Sequence, residues 1–368
     1  MLTLLHHTEE DTHMPSRRTF MGQLAGAGVA LASGRLDGLQ PASGRRQVVV
    51  GGRRVRTVDA HAHTFIPAVA EVVKGTEFEK SVAGSIAGNL PMSDERLRAM
   101  DAQGIDVEVL TINPWWYGAD RELARRIIDT QNQGLARLCA ARPDRFVALA
   151  TVALQHPELA AEQLDAAFTN LKMRGASMGA VVNSEELGSP RFDPFWEKAE
   201  ELGALLFIHP LGVPQLASRL QGNGFLTNVI GNPLETTIAL SHLIFEGTLD
   251  RFPGLKFCGA HAGGFMPSYS GRFDQGCVAF PQNCTRTLKK KPSAYLKQLY
   301  FDSMVFSSEG LRHLVAEYGS SQIVMGTDYP FPWTTTSCDH ILNTPGLSDA
   351  DKTAILGGNL VRMLGIAE

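Results

Sequence analysis

From Arg56 onward, short apolar runs rich in β-branched residues alternate with longer stretches of helical period, and no other feature of the chain constrains its fold as strongly. The strand candidates are "TVDAH" at 57, "VEVLTI" at 107, "FVALATV" at 146, "GAVV" at 179, "ALLFIH" at 204, "LKFCGAH" at 255, "LYFDS" at 299 and "IVMGTD" at 323. Helix-like stretches separate them. "SDERLRAMDAQG" opens on a serine or aspartate cap and stops at Gly104, and "HPELAAEQLDAAFTNL" follows the third run. Eight βα units predict the α/β class and a closed (β/α)8 TIM barrel over residues 56–368. No GxGxxG follows the first strand, so an open dinucleotide-binding sheet loses its main signature. No linker divides 56–368. The segment from about Phe65 to Pro91 is long for a βα loop and is expected to cover the barrel mouth.

Barrels of this kind place their chemistry at the C-terminal ends of the strands. There the sequence sets His61 and His63 after strand one, His209 after strand five, His261 after strand six and Asp328 after strand eight. Side chains alternate along a strand, so the two histidines of "HAH" share a face. Three imidazoles and one carboxylate suit a divalent metal with a position left for water, and a further imidazole is then free to move a proton. Asp302, at the end of strand seven, competes with Asp328 as the carboxylate. Each residue alone also reads as a hydrogen-bonded loop residue or helix cap; their concentration at one end of the barrel favours a metal site. Trp115, Trp116 and Tyr117 read equally as a pocket wall or as an aromatic loop packed under the lid, while His156, His242, His313 and His340 read as structural.

Composition narrows the partners. With 34 basic and 38 acidic residues in 368, the net charge is −4, and the only compact basic run is Lys289-Lys290-Lys291. That excludes nucleic acid as a principal partner, because the phosphate backbone demands an extended positive surface. Five cysteines form no CxxC pair and read as free thiols. Residues 1–45 read as a presequence. Ser16–Ser33 carries Arg17-Arg18, then Phe20 and a weakly hydrophobic Gly/Ala segment, and resembles a bacterial twin-arginine export signal. The expectation is a periplasmic or otherwise exported protein; a disordered basic tail would leave it cytoplasmic. No other stretch has about 18 uninterrupted apolar residues, so no membrane span is expected in the mature form.

The motifs "DAHAH", "ERLRAMDAQGIDVEVLT", "RFVALATV", "LFIHP", "NPLETTIAL", "RFPGLKFCGAHAGGFMP" and "GTDYPFP" give the chain a family resemblance over roughly residues 56 to 366. It resembles the metal-dependent amidohydrolase superfamily, in particular its aminocarboxymuconate-semialdehyde decarboxylase-like branch. The resemblance implies one zinc per subunit held by His61, His63, His209 and Asp328, another divalent metal being the alternative. It makes His261 the residue that activates the metal-bound water. It also places Arg272 where the family binds a substrate carboxylate, in some members across a homodimer interface; a surface ion pair with Asp274 is the plainer reading of that arginine. The sequence departs from the family in one respect: no arginine occurs between Arg56 and Arg96, where decarboxylases of dicarboxylates tend to carry a second one.

The implied function is a zinc-dependent carboxy-lyase that removes CO2 from a small unsaturated or aromatic carboxylate. The alternative is a hydrolase of a lactone, amide or ester using the same residues. A non-catalytic binding protein on the same barrel is the third reading, and the presence of His261 beside a complete ligand set argues against it.

Overall fold

The structure, a computed structural model, describes residues 44–88, 93–284 and 288–367. Residues 1–43, with the twin-arginine stretch, lie outside the described residues. A short antiparallel hairpin, Val49–Val50 with Arg53–Arg54, precedes the barrel. The barrel strands are β1 (Val58–His63), β2 (Val107–Thr111), β3 (Phe146–Ala148), β4 (Gly175–Gly179), β5 (Leu205–His209), β6 (Lys256–Gly259), β7 (Tyr300–Asp302) and β8 (Ile323–Val324). They form a three-stranded parallel sheet, β1-β2-β3, and a five-stranded parallel sheet, β8-β7-β6-β5-β4. Two parallel bridges, Ala62 to Tyr329 and Ala150 to Ala176, close these sheets on each other. Across the first seam the Ala60 N–H donates to the Met325 carbonyl at 2.8 Å and the His63 N–H to the Tyr329 carbonyl at 2.6 Å. Closure therefore sets the end of β1 beside the segment after β8, which carries Asp328.

The helices wrap the strands: α1 (Asp94–Gln103), α2 (Arg121–Ala141), α3 (Pro157–Asn170), α4 (Asp193–Leu202), α5 (Gly231–Phe245), α6 (Met266–Ala279), α7 (Ser308–Tyr318) and α8 (Asn359–Leu364). The limits of α1 follow from its ends. The Ser93 hydroxyl accepts from the Arg96 N–H, and Gly104 leaves the helix in the left-handed region at φ 78°. In α3, Pro157 occupies the first turn, where its missing N–H costs nothing.

Two expectations are corrected. The fourth strand is Gly175–Gly179, four residues before the expected "GAVV"; Val181–Val182 instead pairs antiparallel with Glu185–Glu186. Small residues make the true strand: a Cβ on Gly175 would stand 1.9 Å from the Leu205 carbonyl oxygen, so this close β4–β5 approach requires glycine. Second, Cys277 and Cys284 form a disulfide, leaving Cys139, Cys258 and Cys338 as free thiols among the described residues. The segment after β1, expected to cover the mouth, contains the helices Val69–Val72 and Glu79–Gly88, its start packed beside α2, where Gly134 makes room for Ile66; residues 89–92 lie outside the described residues. In the disulfide, Cys277 stands near the end of α6. After α6 ends, the turn Pro281–Asn283 folds the chain back and brings the two Cα atoms to 5.4 Å.

Candidate active site

Strand alternation and barrel closure bring together all five residues expected at the mouth. One ligand atom each of His61, His209, His261 and Asp328 lie within 4.8 Å of one another. His63 joins them, its Nε2 lying 2.8 Å from Asp328 Oδ1 and 3.2 Å from His61 Nε2. Beneath them, Phe207, two residues before His209 on β5, sets its ring 4.9 Å from that of His61. His261 and Asp328 both take left-handed backbone conformations, with φ 54° and 61°. Non-glycine residues enter that region at a cost, and here it turns both side chains toward the cluster.

The second nitrogen of each of His61, His63 and His209 has its own partner. His61 Nδ1 donates to Asp302 Oδ2 at 2.8 Å; His63 Nδ1 lies 3.3 Å from the Thr111 hydroxyl; His209 Nδ1 donates to the Pro210 carbonyl at 2.7 Å. These contacts point the three Nε2 atoms inward. Asp302, the competing carboxylate, is fully buried and spent on orientation: besides His61 it accepts from the backbone N–H groups of His261, Ala262 and Met304. Asp59 does similar work from below, accepting from the His61 and Thr327 N–H groups and from the Thr327 hydroxyl, so it ties β1 to the turn before Asp328. Gly326 permits this packing; a Cβ there would meet Asp302 and His61 at 3.0 and 3.2 Å.

The electrostatics describe a site arranged for a cation. Burial alone would raise Asp328, but His61 and its neighbours hold it far below the ordinary carboxylate range. Burial would likewise lower His61, yet Asp328 and Asp302 reverse this and raise it to about 10. Burial, then the adjacent imidazoles, push His209 well down, and its Nε2 is buried with no partner among the described residues. A divalent metal fits this donor set: it gives the orphaned Nε2 a partner and supplies the positive charge that the carboxylates otherwise draw onto His61.

Sequence reasoning did not single out Arg96. It is fully buried, donates from Nε to Glu108 at 2.6 Å and from Nη1 to the His63 carbonyl at 2.7 Å, and lies 4.7 Å from the centre of the Tyr329 ring. It thus braces the two chain segments that carry His63 and Asp328. Arg272 stands elsewhere, exposed on α6 and outside the residues lining the cleft, while Asp274 is engaged by Ser293 and Lys291. Trp116 and Tyr117 are buried, hydrogen-bonded to the Val152 carbonyl and the Gly179 N–H, and do not line the cleft either.

A cavity of about 490 Å³ opens beside His209 and Asp328, walled by Phe225, Phe331 and Trp333 and presenting the amides of Asn113, Asn228 and Asn232. The long β5–α5 connection supplies much of this wall, and Glu235 on α5 anchors it by accepting from the N–H groups of Leu211 and Gly212. No lysine or arginine lines the cavity among the described residues.

Residues 58–366 match the protein-family model described as Amidohydrolase. The chain belongs to the amidohydrolase family. Within it, a 2-amino-3-carboxymuconate-6-semialdehyde decarboxylase from Dictyostelium discoideum is 31% identical over 276 residues, covering 74% of this chain and 76% of the relative. Among solved structures, 5-carboxyvanillate decarboxylase from Sphingomonas paucimobilis superposes with a TM-score of 0.76 at 26% identity, covering 85% of this chain and 100% of that one. A dihydroxybenzoic acid decarboxylase from Polaromonas sp. JS666, with bound manganese and the inhibitor 2-nitroresorcinol, gives a TM-score of 0.70 at 25% identity over 84% of this chain and 96% of that one. This amidohydrolase-family chain is thereby placed in the decarboxylase branch, on a TIM barrel.

Proposed function

We propose that this chain is a metal-dependent decarboxylase, a carbon–carbon lyase acting on a small unsaturated or aromatic carboxylate. One observation carries the reading: His61, His63, His209, His261 and Asp328 converge beside a cavity with aromatic walls, in a chain whose relatives are decarboxylases. We assign His61, His63, His209 and Asp328 to a single divalent metal, zinc by the family resemblance, although the Polaromonas relative holds manganese. When bound, such a metal supplies Lewis-acid charge stabilisation to the substrate's oxygens.

The protein's own residues do the rest. Aromatic walls exclude water and hold the substrate's unsaturated face, and the asparagine amides offer neutral hydrogen bonds to its polar substituents. His261 Nε2 lies 3.7 Å from Asp328 Oδ2, placing its imidazole at the edge of the ligand cluster. Its role is to carry the proton. As the bond to the carboxyl carbon breaks, CO2 leaves without the bonding electrons; that pair stays on the substrate carbon and takes the proton from His261. Arg272 keeps the carboxylate-binding role given by the resemblance only if a homodimer presents it to the partner's cleft. Export through the twin-arginine route is the corresponding reading of Ser16–Ser33, and the Cys277–Cys284 disulfide supports it, since such bonds persist in oxidising compartments.

The deciding variant is His261→Ala. CO2 release from a panel of hydroxybenzoates and muconate-type acids should fall by about 10²-fold or more, with metal content per chain unchanged. Loss of the metal in a folded variant would make His261 a ligand and overturn the assignment. Opening of a lactone or amide panel without CO2 release would overturn the decarboxylase reading in favour of hydrolysis.

A further inference from the structure

The main cavity is not the only one beside the His/Asp cluster. Across Trp333 from the main cavity lies another of about 360 Å³, reached by His261 and walled by Val229, Pro233, Phe265, Met304 and Phe306. Asn228 and Trp333 line both cavities, so the two are neighbours, with His209 and Asp328 on one side and His261 on the other. Neither lobe is lined by a lysine or arginine among the described residues. The second is the more uniformly apolar.

An independent feature marks the wall between the two cavities. Phe225 and Phe306 come from different connections, yet both hold left-handed backbone conformations, with φ 54° and 53°. Both set exposed rings against Trp333: Phe225 is stacked at 6.2 Å and 12°, and Phe306 lies at 6.4 Å and 30°. Their exposures are 61% and 54%. Bulky L-residues rarely adopt this conformation, and exposed aromatic rings forgo burial. Two such residues converging on one tryptophan at the mouth of a cleft are the signature of a surface built to receive another flat apolar group.

We propose that this lobe is a subsite for an uncharged, ring-sized substituent of the substrate, so that the preferred substrate is an aromatic carboxylate bearing a second ring. The inference rests on the decarboxylase reading for the position of the carboxylate, which lies in the first lobe against the metal ligands. The second ring then occupies the space between Val229, Met304 and Phe306 and covers the exposed ring of Phe306. With no lysine or arginine in its wall, the lobe offers a second carboxylate no permanent counter-charge and favours an uncharged ring.

The test compares 2-hydroxybenzoate with its 4-phenyl and 5-phenyl derivatives, binding to the metal-loaded full chain by calorimetry while CO2 release is followed separately. The better phenyl derivative should bind at least about tenfold more tightly than the parent, the gain expected from removing one ring from water. Val229→Trp fills the lobe from an exposed position and should bring the ratio close to one. Phe306→Ala, which removes part of the wall, should lower it. Equal binding of parent and phenyl derivatives, or a ratio unaltered by Val229→Trp, overturns the subsite; so does failure of both phenyl derivatives to bind. The two readings fail separately. A high ratio without CO2 release supports the subsite and sinks the decarboxylase reading, whereas CO2 release with a ratio of one does the reverse.

Discussion

Asp302 sits beneath the histidine–aspartate cluster and fixes its geometry by accepting from His61 Nδ1 and from the backbone N–H of His261. Asp302→Asn keeps the shape but turns an acceptor of several hydrogen bonds into a weaker one. Metal affinity should fall roughly 10- to 100-fold, measured by competition with a chromophoric chelator; an unchanged affinity would contradict the orienting role. Arg96 matters to the fold itself. Arg96→Leu strands the buried Glu108 carboxylate and removes the donor to the His63 carbonyl, so unfolding free energy should drop by about 3–5 kcal/mol in a urea titration. The His and Asp of the cluster were legible because strand ends in a barrel point to one place. Arg96 was not: in "ERLRAMD" it reads as one more charge on a helix surface, and only the packed barrel shows that this face of α1 looks inward at Glu108 and Tyr329.

At the level of elements, apolar runs located seven of the barrel strands and missed the fourth. "GASMG" lacks the β-branched residues that signal a strand, because its place beside β5 is set by backbone proximity and leaves no room for side chains at Gly175. Gly175→Ala should therefore cost about 3 kcal/mol or more in a denaturant titration, well above a surface Gly→Ala change; near-neutral stability would mean that the strands separate easily. The cleft wall among the described residues comes largely from the β5–α5 connection, which Glu235 holds in place and for which the sequence carries no spacing signal. The cysteine pairing was hidden for a related reason, since a spacing of seven residues brings two thiols together only when a helix ends between them.

On the scale of the whole molecule, the proposed ligands come from β1, β5 and the segment after β8, so a metal bound there would join the two sheets across a barrel seam. Metal in 100-fold excess over its dissociation constant should stabilise the fold by about 2.7 kcal/mol, seen as a rise in melting temperature that a chelator reverses; a melting temperature indifferent to chelation would contradict a site bridging the barrel. The barrel, the metal corner and the reaction class were within reach of the sequence, because they depend on periodicity and on residue types at strand ends. The cavity lining was not, since Asn113, Asn228, Phe306 and Trp333 come from separate connections and carry no spacing signal. The most direct measurement is release of labelled CO2 from carboxyl-labelled hydroxybenzoates by the metal-loaded chain, before and after chelation. The account predicts that labelled CO2 appears, ceases when the metal is removed and returns when a divalent metal is restored; undiminished CO2 release from the fully metal-depleted chain would contradict it.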